Sequence, residues 1–379
     1  KMGRSGVPYT NEGAGGENYG TIAYVKESPH EAGVIWTGSD DGMVYLTRDN
    51  GGSWTNVTPA GMPECLVNSI EVSPHDKATV YIACTRYKVN DLSPMLYRST
   101  DYGRSWTRID AGIPVGAYTR VIREDDKRKG LLFAGTETGL YISWDNGKVW
   151  TKSQLGLPVT PVTDLRIHRD NLIAATMGRA FWILDDLYMI RNYEKLQNSS
   201  SVQLFGPDAV VRLSGGSSLD VVGSTDDPRP ATPQAEGTNA PGAVVLYYQL
   251  PAGADSMKLS LTIRNAKGEL VRQYSDTADP AFVEFAGGPS SDPLLPKKTG
   301  LNRFTWNLRY PTYPGVPPAF IEGSWDGHRA PPGTYVAELK AGTQTVQHSF
   351  TVVADPRLKA AQADYEEQHL WLTRVEDGL

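Results

Sequence analysis

The chain has 379 residues, 40% of them hydrophobic and 21% charged, which is enough for more than one hydrophobic core. Its formal net charge of −6 is spread without a basic stripe, so neither a nucleic-acid backbone nor an anionic membrane is an evident partner. Apolar runs stay well short of the roughly 20 residues that span a bilayer, and abundant glycines (38) and prolines (26) favour many short strands.

Residues 1–20, KMGRSGVPYTNEGAGGENYG, are polar and open the chain. They lack the apolar core of a signal peptide. We predict an N-terminal extension here, and a processed or fragmentary start explains it better than residence in the cytosol.

Residues 21–198 contain one pattern three times: TRDNGGSW (47–54), STDYGRSW (99–106) and SWDNGKVW (143–150). A fourth copy keeps Asp185 at the position of Asp145 but lacks the Gly and Trp that follow. Each copy is preceded by strand, polar turn and strand, and the period of about 45–50 residues is typical of a β-propeller blade. The sequence therefore predicts an all-β fold with four blades that form an incomplete ring.

The Asp, Gly and Trp of each repeat fit a structural turn better than a catalytic site. An Asp in a tight turn accepts hydrogen bonds from backbone N–H groups, a Gly supplies a positive φ, and a Trp covers the hairpin. A catalytic residue is needed once per site, whereas this set recurs in successive blades. We predict structural roles for these nine residues: Asp49, Gly51, Trp54, Asp101, Gly103, Trp106, Asp145, Gly147 and Trp150.

These motifs resemble the Asp-box (BNR) repeat of sialidases, xyloglucanase-type glycosidases and the propeller of sortilin. The GENYGTI opening, the SPHE turn and GRAFWILDDL more narrowly resemble the C-terminal part of large secreted bacterial sortilin-like proteins, often labelled BNR-repeat glycosyl hydrolases. The resemblance implies a secreted, periplasmic or cell-surface location and a ring of seven to ten blades. We therefore expect the remaining blades on the same precursor or a second chain, or ring closure by dimerisation.

Cys65 and Cys84 flank a predicted hairpin of VNSIEV and ATVYIAC, which turns at SPHDK. The two residues then lie almost opposite each other. A cross-strand disulfide forms only if the side chains approach within bonding distance. The alternative is a pair of small buried thiols.

The turns between the second and third strands of each blade lie on the face opposite the repeated Asp turns. Propellers commonly bind ligands at such a face or in the central channel. Arg179 stands where other blades have Gly, and residues 85–95 lengthen their loop. The candidate ligand-binding residues on this face are Asp40, Asp41, Arg86, Tyr87, Lys88, Asp91, Glu137 and Arg179.

Two alternatives remain for these charged loops. They are solvated side chains without a ligand, or Asp40 and Glu137 act as the acid and base of a glycosidase. The six histidines show no metal-ligand spacing, and no cofactor motif occurs, so we expect neither a metal nor a cofactor.

The second half of the chain changes pattern. Short alternating strands predict an immunoglobulin-like β-sandwich over residues 199–355, with a long polar loop at 214–242. Residues 356–379 predict a helix that packs on the sandwich or on a partner. Its apolar face is expected to contain Leu358, Ala361, Tyr365, His369, Leu372 and Val375.

The sequence favours an extracytoplasmic module that binds a protein, peptide or glycan, because structural motifs repeat and no catalytic set is traceable. One alternative is a glycoside hydrolase whose site is shared with further blades. The other is a structural subunit of a surface assembly.

Overall fold

The computed structural model describes residues 20–197, 201–213, 241–313, 315–317, 324–376 and 378. Their regular secondary structure is mostly β-strand with few helices, which confirms the all-β prediction. Residues 1–19 of the predicted extension and 214–240 of the predicted loop lie outside the described residues. The chain divides into two compact units, Lys1–Leu187 and Tyr188–Leu379.

The first unit contains four antiparallel sheets, which we call blades 1 to 4. Blades 1, 2 and 3 have four strands each in sequential order, and blade 4 has three. The strands are β1 Ile22–Glu27, β2 Ile35–Ser39, β3 Val44–Thr47 and β4 Thr55–Asn56; β5 Leu66–Val72, β6 Val80–Arg86, β7 Asp91–Ser99 and β8 Thr107–Arg108; β9 Thr119–Glu124, β10 Leu132–Thr136, β11 Gly139–Ser143 and β12 Thr151–Lys152; β13 Val162–His168, β14 Asn171–Thr176 and β15 Phe181–Leu184.

The inner blades are apolar on both faces because each is packed between two neighbours. In blade 2, six of the seven residues of β6 are buried, and its side chains enter two separate cores. One core is shared with blade 1 through Trp36, and the other is shared with blade 3 through Ile122. Continuous apolar strands of this kind fit sheets covered on both sides.

Histidines at equivalent repeat positions join successive blades. His30 Nε2 lies 2.9 Å from the carbonyl oxygen of Ser73, and His75 Nε2 lies 2.7 Å from that of Asp125. The two SPH turns of the sequence therefore connect blade 1 to blade 2 and blade 2 to blade 3, as well as reversing the chain.

The repeated Asp turns have the hydrogen bonds expected from their sequence. Asp101 Oδ1 accepts from Ser99 Oγ (2.8 Å) and from the amide of Ser105 (2.9 Å), and Oδ2 accepts from Ser105 Oγ (2.6 Å). The Asp49 turn repeats this arrangement, and the Gly of each turn has a positive φ. We refer to these three segments, 47–54, 99–106 and 143–150, as the Asp-Gly-Trp turns.

The tryptophans differ from the expectation that each covers its own hairpin. The indole of Trp106 donates to the carbonyl of Val57 in blade 1 at 2.7 Å, and that of Trp150 donates to Ile109 in blade 2 at 2.5 Å. Trp106 and Trp150 thus each join their own blade to the preceding one.

The second unit is a two-sheet β-sandwich with helices at both ends of its chain. A three-stranded sheet has the order β16-β18-β21, and a five-stranded sheet has the order β17-β23-β22-β19-β20. The elements are α1 Tyr188–Arg191, α2 Tyr193–Gln197, β16 Gln203–Phe205, β17 Ala209–Arg212, β18 Val244–Leu250, β19 Leu259–Asn265, β20 Leu270–Ser275, β21 Gly300–Trp306, β22 Gly333–Ala341, β23 Gln344–Ala354 and α3 Gln362–Glu376.

Both sheets contribute to one core, in which Tyr248, Trp306, Tyr335 and Phe350 are almost completely buried. The pair β17–β23 is parallel, and the other pairs are antiparallel. The sandwich is as predicted in its strand content, and its immunoglobulin-like classification stays a prediction.

The unit boundary falls at Leu187, earlier than the predicted end of the blades at residue 198. The cause is Tyr188, whose hydroxyl donates to the carbonyl of Val245 at 2.9 Å and whose ring meets Tyr247 edge-on. These contacts join the short helices α1 and α2 to the sandwich.

Candidate functional site

The turns β2–β3, β6–β7, β10–β11 and β14–β15 lie at the same end of the blades as the crossings between blades. Backbone hydrogen bonds join the two sets: Asp40 N to Thr21 O (3.0 Å), Glu137 N to Tyr118 O (3.0 Å) and Met177 N to Pro161 O (3.0 Å). We call this end the loop face. It lies opposite the Asp-Gly-Trp turns, as the strand order requires.

In blade 1 the two candidate carboxylates are engaged within the chain. Asp40 Oδ1 accepts from the amides of Gly20 (2.8 Å) and Thr21 (2.9 Å), which fixes the start of β1. Asp41 is buried and accepts from Ser39 Oγ at 2.5 Å. Both carboxylates are therefore held by hydrogen bonds within the chain.

The longer loop of blade 2 is closed by an ion pair. Arg86 and Asp91 face each other across the ends of β6 and β7, and the Nη1 of Arg86 donates to Oδ2 of Asp91. The amide of Ser93 donates to Asp91 and is the main cause of the lowered pKa of Asp91, followed by the Ser93 side chain and Arg86. Tyr87 and Lys88 are exposed at the tip, in a single 3-10 turn.

Tyr87 belongs to a cluster with three side chains from blade 3, which we call the tyrosine–arginine cluster: Tyr87, Tyr118, Arg120 and Glu137. The rings of Tyr87 and Tyr118 are stacked with centroids 5.4 Å apart. Arg120 donates to Glu137 Oε2 through Nε (2.9 Å) and Nη2 (2.7 Å), and its guanidinium carbon lies 5.2 Å from the Tyr118 ring centre. The cluster thus couples the tip of blade 2 to blade 3.

The electrostatics of the cluster follow from this geometry. Burial raises the pKa of Tyr118, and its hydrogen bond with Glu137 raises it further. Burial alone would lower the pKa of Arg120, but the hydrogen bond and charge of Glu137 outweigh burial and raise it. Arg120 and Glu137 therefore form a charged pair within an aromatic setting.

Several apolar side chains are exposed on the loop face as well. Val115 is 75% exposed on the crossing to blade 3, and the amide of the next residue, Gly116, donates to Leu92 O at 2.9 Å. Further large exposed apolar residues at this end include Leu92, Leu155, Val159 and Met177. Exposed apolar side chains are a common feature of interaction surfaces.

The sequence did not indicate Tyr118 and Arg120 as candidates, because neither lies in a loop between the second and third strands of a blade. Tyr118 immediately precedes β9, and Arg120 lies within it. Their i, i+2 spacing at the start of an inner strand places both on one side of that strand. That spacing, next to the lengthened loop of blade 2, is the signal that would have found them.

The remaining candidates have simple surroundings. Arg179 is exposed, and its carbonyl accepts from the indole of Trp182 at 2.8 Å. Cys65 and Cys84 are free, buried thiols, and a hydrogen bond between them, then burial, raises the pKa of Cys84. Their disulfide stays a prediction. Within the described part of the chain, no three His, Cys, Asp or Glu side chains are grouped to hold a metal.

Sequence reasoning also missed a polar network on the inner strands of the blades. Its centre is Arg123 of β9, which is 8% exposed. It donates to Tyr24 Oη (3.1 Å) in blade 1, Ser69 Oγ (2.7 Å) in blade 2, and Leu165 O (2.8 Å) and Asp164 Oδ1 (2.7 Å) in blade 4. One guanidinium therefore connects its own blade to the other three.

A buried carboxylate adjoins this network. Glu71 Oε2 lies 3.3 Å from Lys26 Nζ and 3.8 Å from Arg123 Nη1. Burial raises the pKa of Glu71, and the charges of Arg123 and Lys26 oppose that rise. The network thus balances a costly buried charge with two cations.

A separate cavity of about 900 Å³ lies within the second unit. Its walls include Tyr274, Phe282, Phe285 and Tyr313, together with Asp292, which pairs with the buried Arg272. Among the described residues, no helix is long and apolar enough to cross a membrane.

No family model and no curated protein matches the chain. Solved structures are similar in fold. A structure of YCF48 bound to D1 peptide is 20% identical, covers 44% of this chain and 52% of its own, and has a TM-score of 0.34. A GH74 xyloglucanase from Xanthomonas campestris is 18% identical, over 44% of this chain and 29% of its own, at a TM-score of 0.36. A GH74 enzyme from Niastella koreensis is 16% identical, covers 44% of this chain and 28% of its own, and also has a TM-score of 0.36. The chain thus spans about half of the first of these proteins and less than a third of the other two.

Proposed function

We propose that this chain is an extracytoplasmic binding module whose loop face binds a protein or peptide partner. The observation that carries the proposal is the exposure of Leu92, Val115, Val159 and Met177 at the loop face, the same end of the blades as the tyrosine–arginine cluster. Aliphatic side chains of this kind gain free energy when they pack against apolar side chains of a partner. A secreted, periplasmic or cell-surface location is part of the proposal and rests on the sequence resemblance.

The chemistry of the cluster adds specificity to this surface. Tyr87 offers an exposed ring face next to Arg120 and Glu137, whose hydrogen bonds hold the polar groups in fixed positions. Tyrosine and arginine are the residue types enriched where partners bind tightly. A partner segment with apolar side chains fits this combination.

The glycoside hydrolase alternative requires two carboxyl groups free to act on a sugar. Asp40 binds two backbone amides, and Glu137 is held by Arg120. The alternative of a structural subunit needs no ligand at the loop face. Both alternatives are outcomes of the experiment below.

The test is selection of peptide ligands from a displayed random library, beside a glycan array and a glycoside hydrolysis screen. A loop-face variant carries Leu92→Ser, Val115→Ser and Val159→Ser. The matched control is Val149→Ser, because Val149 is 58% exposed but lies in an Asp-Gly-Trp turn at the opposite end of the blades. We expect selected peptides to bind the control normally and the loop-face variant at least about tenfold more weakly.

Hydrolysis that is lost in Asp40→Ala or Glu137→Ala would replace this proposal with the enzyme. Peptide binding that is equal in both serine variants would move the site away from the loop face, and the cavity of the second unit would then be the next candidate. Equal melting temperatures of the two variants serve as the check that both remain folded.

A further inference from the structure

The Asp-Gly-Trp turns allow an internal comparison between blades. Trp106 and Trp150 each donate to the carbonyl of the residue that follows the fourth strand of the preceding blade, Val57 and Ile109 respectively. The Gly of the same turn packs there too, since a Cβ on Gly103 would lie 2.8 Å from Val57 and one on Gly147 would lie 2.8 Å from Ile109. The turn and the preceding blade therefore pack together, and we call this contact between two blades a joint.

The first turn has the same residues but no such joint among the described residues. Trp54 is 43% exposed, whereas Trp150 is 3% exposed, and Gly51 is exposed as well. Beyond Trp54, a Cβ on Gly51 would have no other neighbour within 4 Å. Ile22, Val25 and Tyr45 of the same blade are also exposed. Within the described residues, blade 1 thus presents an apolar sheet face and a complete turn whose tryptophan packs on no preceding blade.

The joint between blades 3 and 4 shows what the tryptophan requires. Here the residue after the fourth strand is Ser153, and the fourth blade has no Gly or Trp after Asp185. The tryptophan and its aliphatic partner are therefore present together at two joints and absent together at the third. From this correlation we expect the element that covers Trp54 to have a Val or Ile at the position whose carbonyl accepts from the Trp54 indole.

We propose that the exposed face of blade 1, centred on Trp54, is the docking surface for a further blade of the same repeat. That blade has a fourth strand followed by Val or Ile, whose carbonyl accepts from the Trp54 indole. Blade 4 of a second copy does not fit, because its described part has three strands and ends at β15 without such a residue. This surface is distinct from the loop face, so the inference stands independently of the ligand proposed there.

The experiment supplies such a blade within the full chain. A copy of residues 65–117, which spans blade 2 with Ile109 and the crossing, is inserted between Gly20 and Thr21. Ala117 then leads into blade 1 just as it leads into blade 3, because Tyr118 and Thr21 hold equivalent positions before β9 and β1. N-bromosuccinimide oxidation, followed by peptide mass mapping, measures the reactivity of each tryptophan.

In the parent chain we expect Trp54 to react much faster than Trp150. Insertion should slow Trp54 by about tenfold or more, to the rate of Trp150. The matched control is the same insertion with Ile109→Ser in the copy, which should restore part of the reactivity of Trp54.

Three results would overturn the proposal. One is a Trp54 that reacts as fast with the insertion as without it. This result counts against the proposal even if the inserted copy stays sensitive to protease, since the same sequence folds between blades 1 and 3. Another is a parent chain in which Trp54 is already as slow as Trp150. The third is concentration-dependent dimerisation that protects Trp54 and is lost in Trp54→Arg, because it would assign the face to a second copy.

Discussion

At the scale of single residues, the Asp of each Asp-Gly-Trp turn is most informative through its hydrogen bonds. Three donors hold the carboxylate of Asp101, and they lower its pKa to about 2, with the Ser105 hydroxyl as the largest cause and the Ser105 amide next. Asp49 has a pKa of about 2 for the same reasons. A carboxylate stabilised in its charged form by its own turn is suited to a structural role.

We expect Asp101→Asn to destabilise the first unit at neutral pH, because the amide cannot accept hydrogen bonds at both terminal atoms. The folded pKa of about 2 lies below the ordinary value of 3.8, so this stabilisation is present above pH 3.8 and is lost as the pH falls through about 2. Urea denaturation of both proteins should thus give a stability difference that shrinks over this acidic range.

Asp185→Asn is the matched control for that measurement. Asp185 occupies the same repeat position with an exposed side chain, but without the Gly and Trp of a complete turn. A larger loss in Asp185→Asn than in Asp101→Asn would contradict the structural role of the turn.

The sequence predicted these turns because their chemistry is local. The donors to Asp101 lie within four residues of it, so spacing alone indicates the contacts. The partner of Trp106 is Val57, 49 positions away, and no local pattern could identify it. For the same reason the contacts of Tyr87 with Tyr118 and Arg120 were not predicted, although Tyr87 and Glu137 were among the candidate ligand-binding residues.

At the scale of elements, helix α3 packs on the sandwich through one face. Tyr365 is buried, and its ring lies under the Arg212 guanidinium, whose carbon is 4.9 Å from the ring centre. His369 Nδ1 lies 2.9 Å from His328 Nε2, and Tyr310 stacks on His328 at 4.3 Å. Of the other residues expected on the packed face, Leu358 and Ala361 precede α3 and are exposed. Val375 lies in α3 but is 60% exposed, because the contact with the sandwich is narrower than the apolar stripe.

Acidification should loosen α3. Burial, and then the neighbouring His369, lowers the pKa of His328 to about 4 from its ordinary 6.5, and burial also lowers the pKa of His369. Because the unfolded chain binds protons more readily, docking is fully stable above pH 6.5 and weakens as the pH falls from 6.5 towards 4. Amide exchange of residues 362–376, corrected for the intrinsic effect of pH, should report this loss.

The His328→Gln variant should show a flatter response over the same range. Glu376 opposes the predicted sign, since its carboxylate lies 3.4 Å from His328 Nδ1, and Lys267 and Glu269 act on His369 with opposite signs. Stronger protection of α3 in acid than at neutral pH would mean that Glu376 dominates over burial.

At the scale of the whole first unit, the blades depend on a shared polar centre as well as on apolar cores between neighbours. The repeat pattern predicted the blades, since each is a local run of short strands. Arg123 was not predicted, because on the sequence it is one of several charged residues in TRVIRE, and its importance arises only when four inner strands converge.

Arg120 and Arg123 lie on the same strand, and their comparison tests this dependence. Arg123→Met should lower the free energy of unfolding by about 3–5 kcal/mol, because it removes bonds to three other blades and leaves Glu71 with a single cation nearby. Arg120→Met breaks the part-exposed pair with Glu137 and the contacts with Tyr118, and should cost less, about 1 kcal/mol. Adding Glu71→Gln should recover stability in Arg123→Met, since the uncompensated buried charge is then gone. Equal losses in the two methionine variants, measured by urea denaturation at neutral pH, would show that the apolar cores hold the blades together without the polar centre.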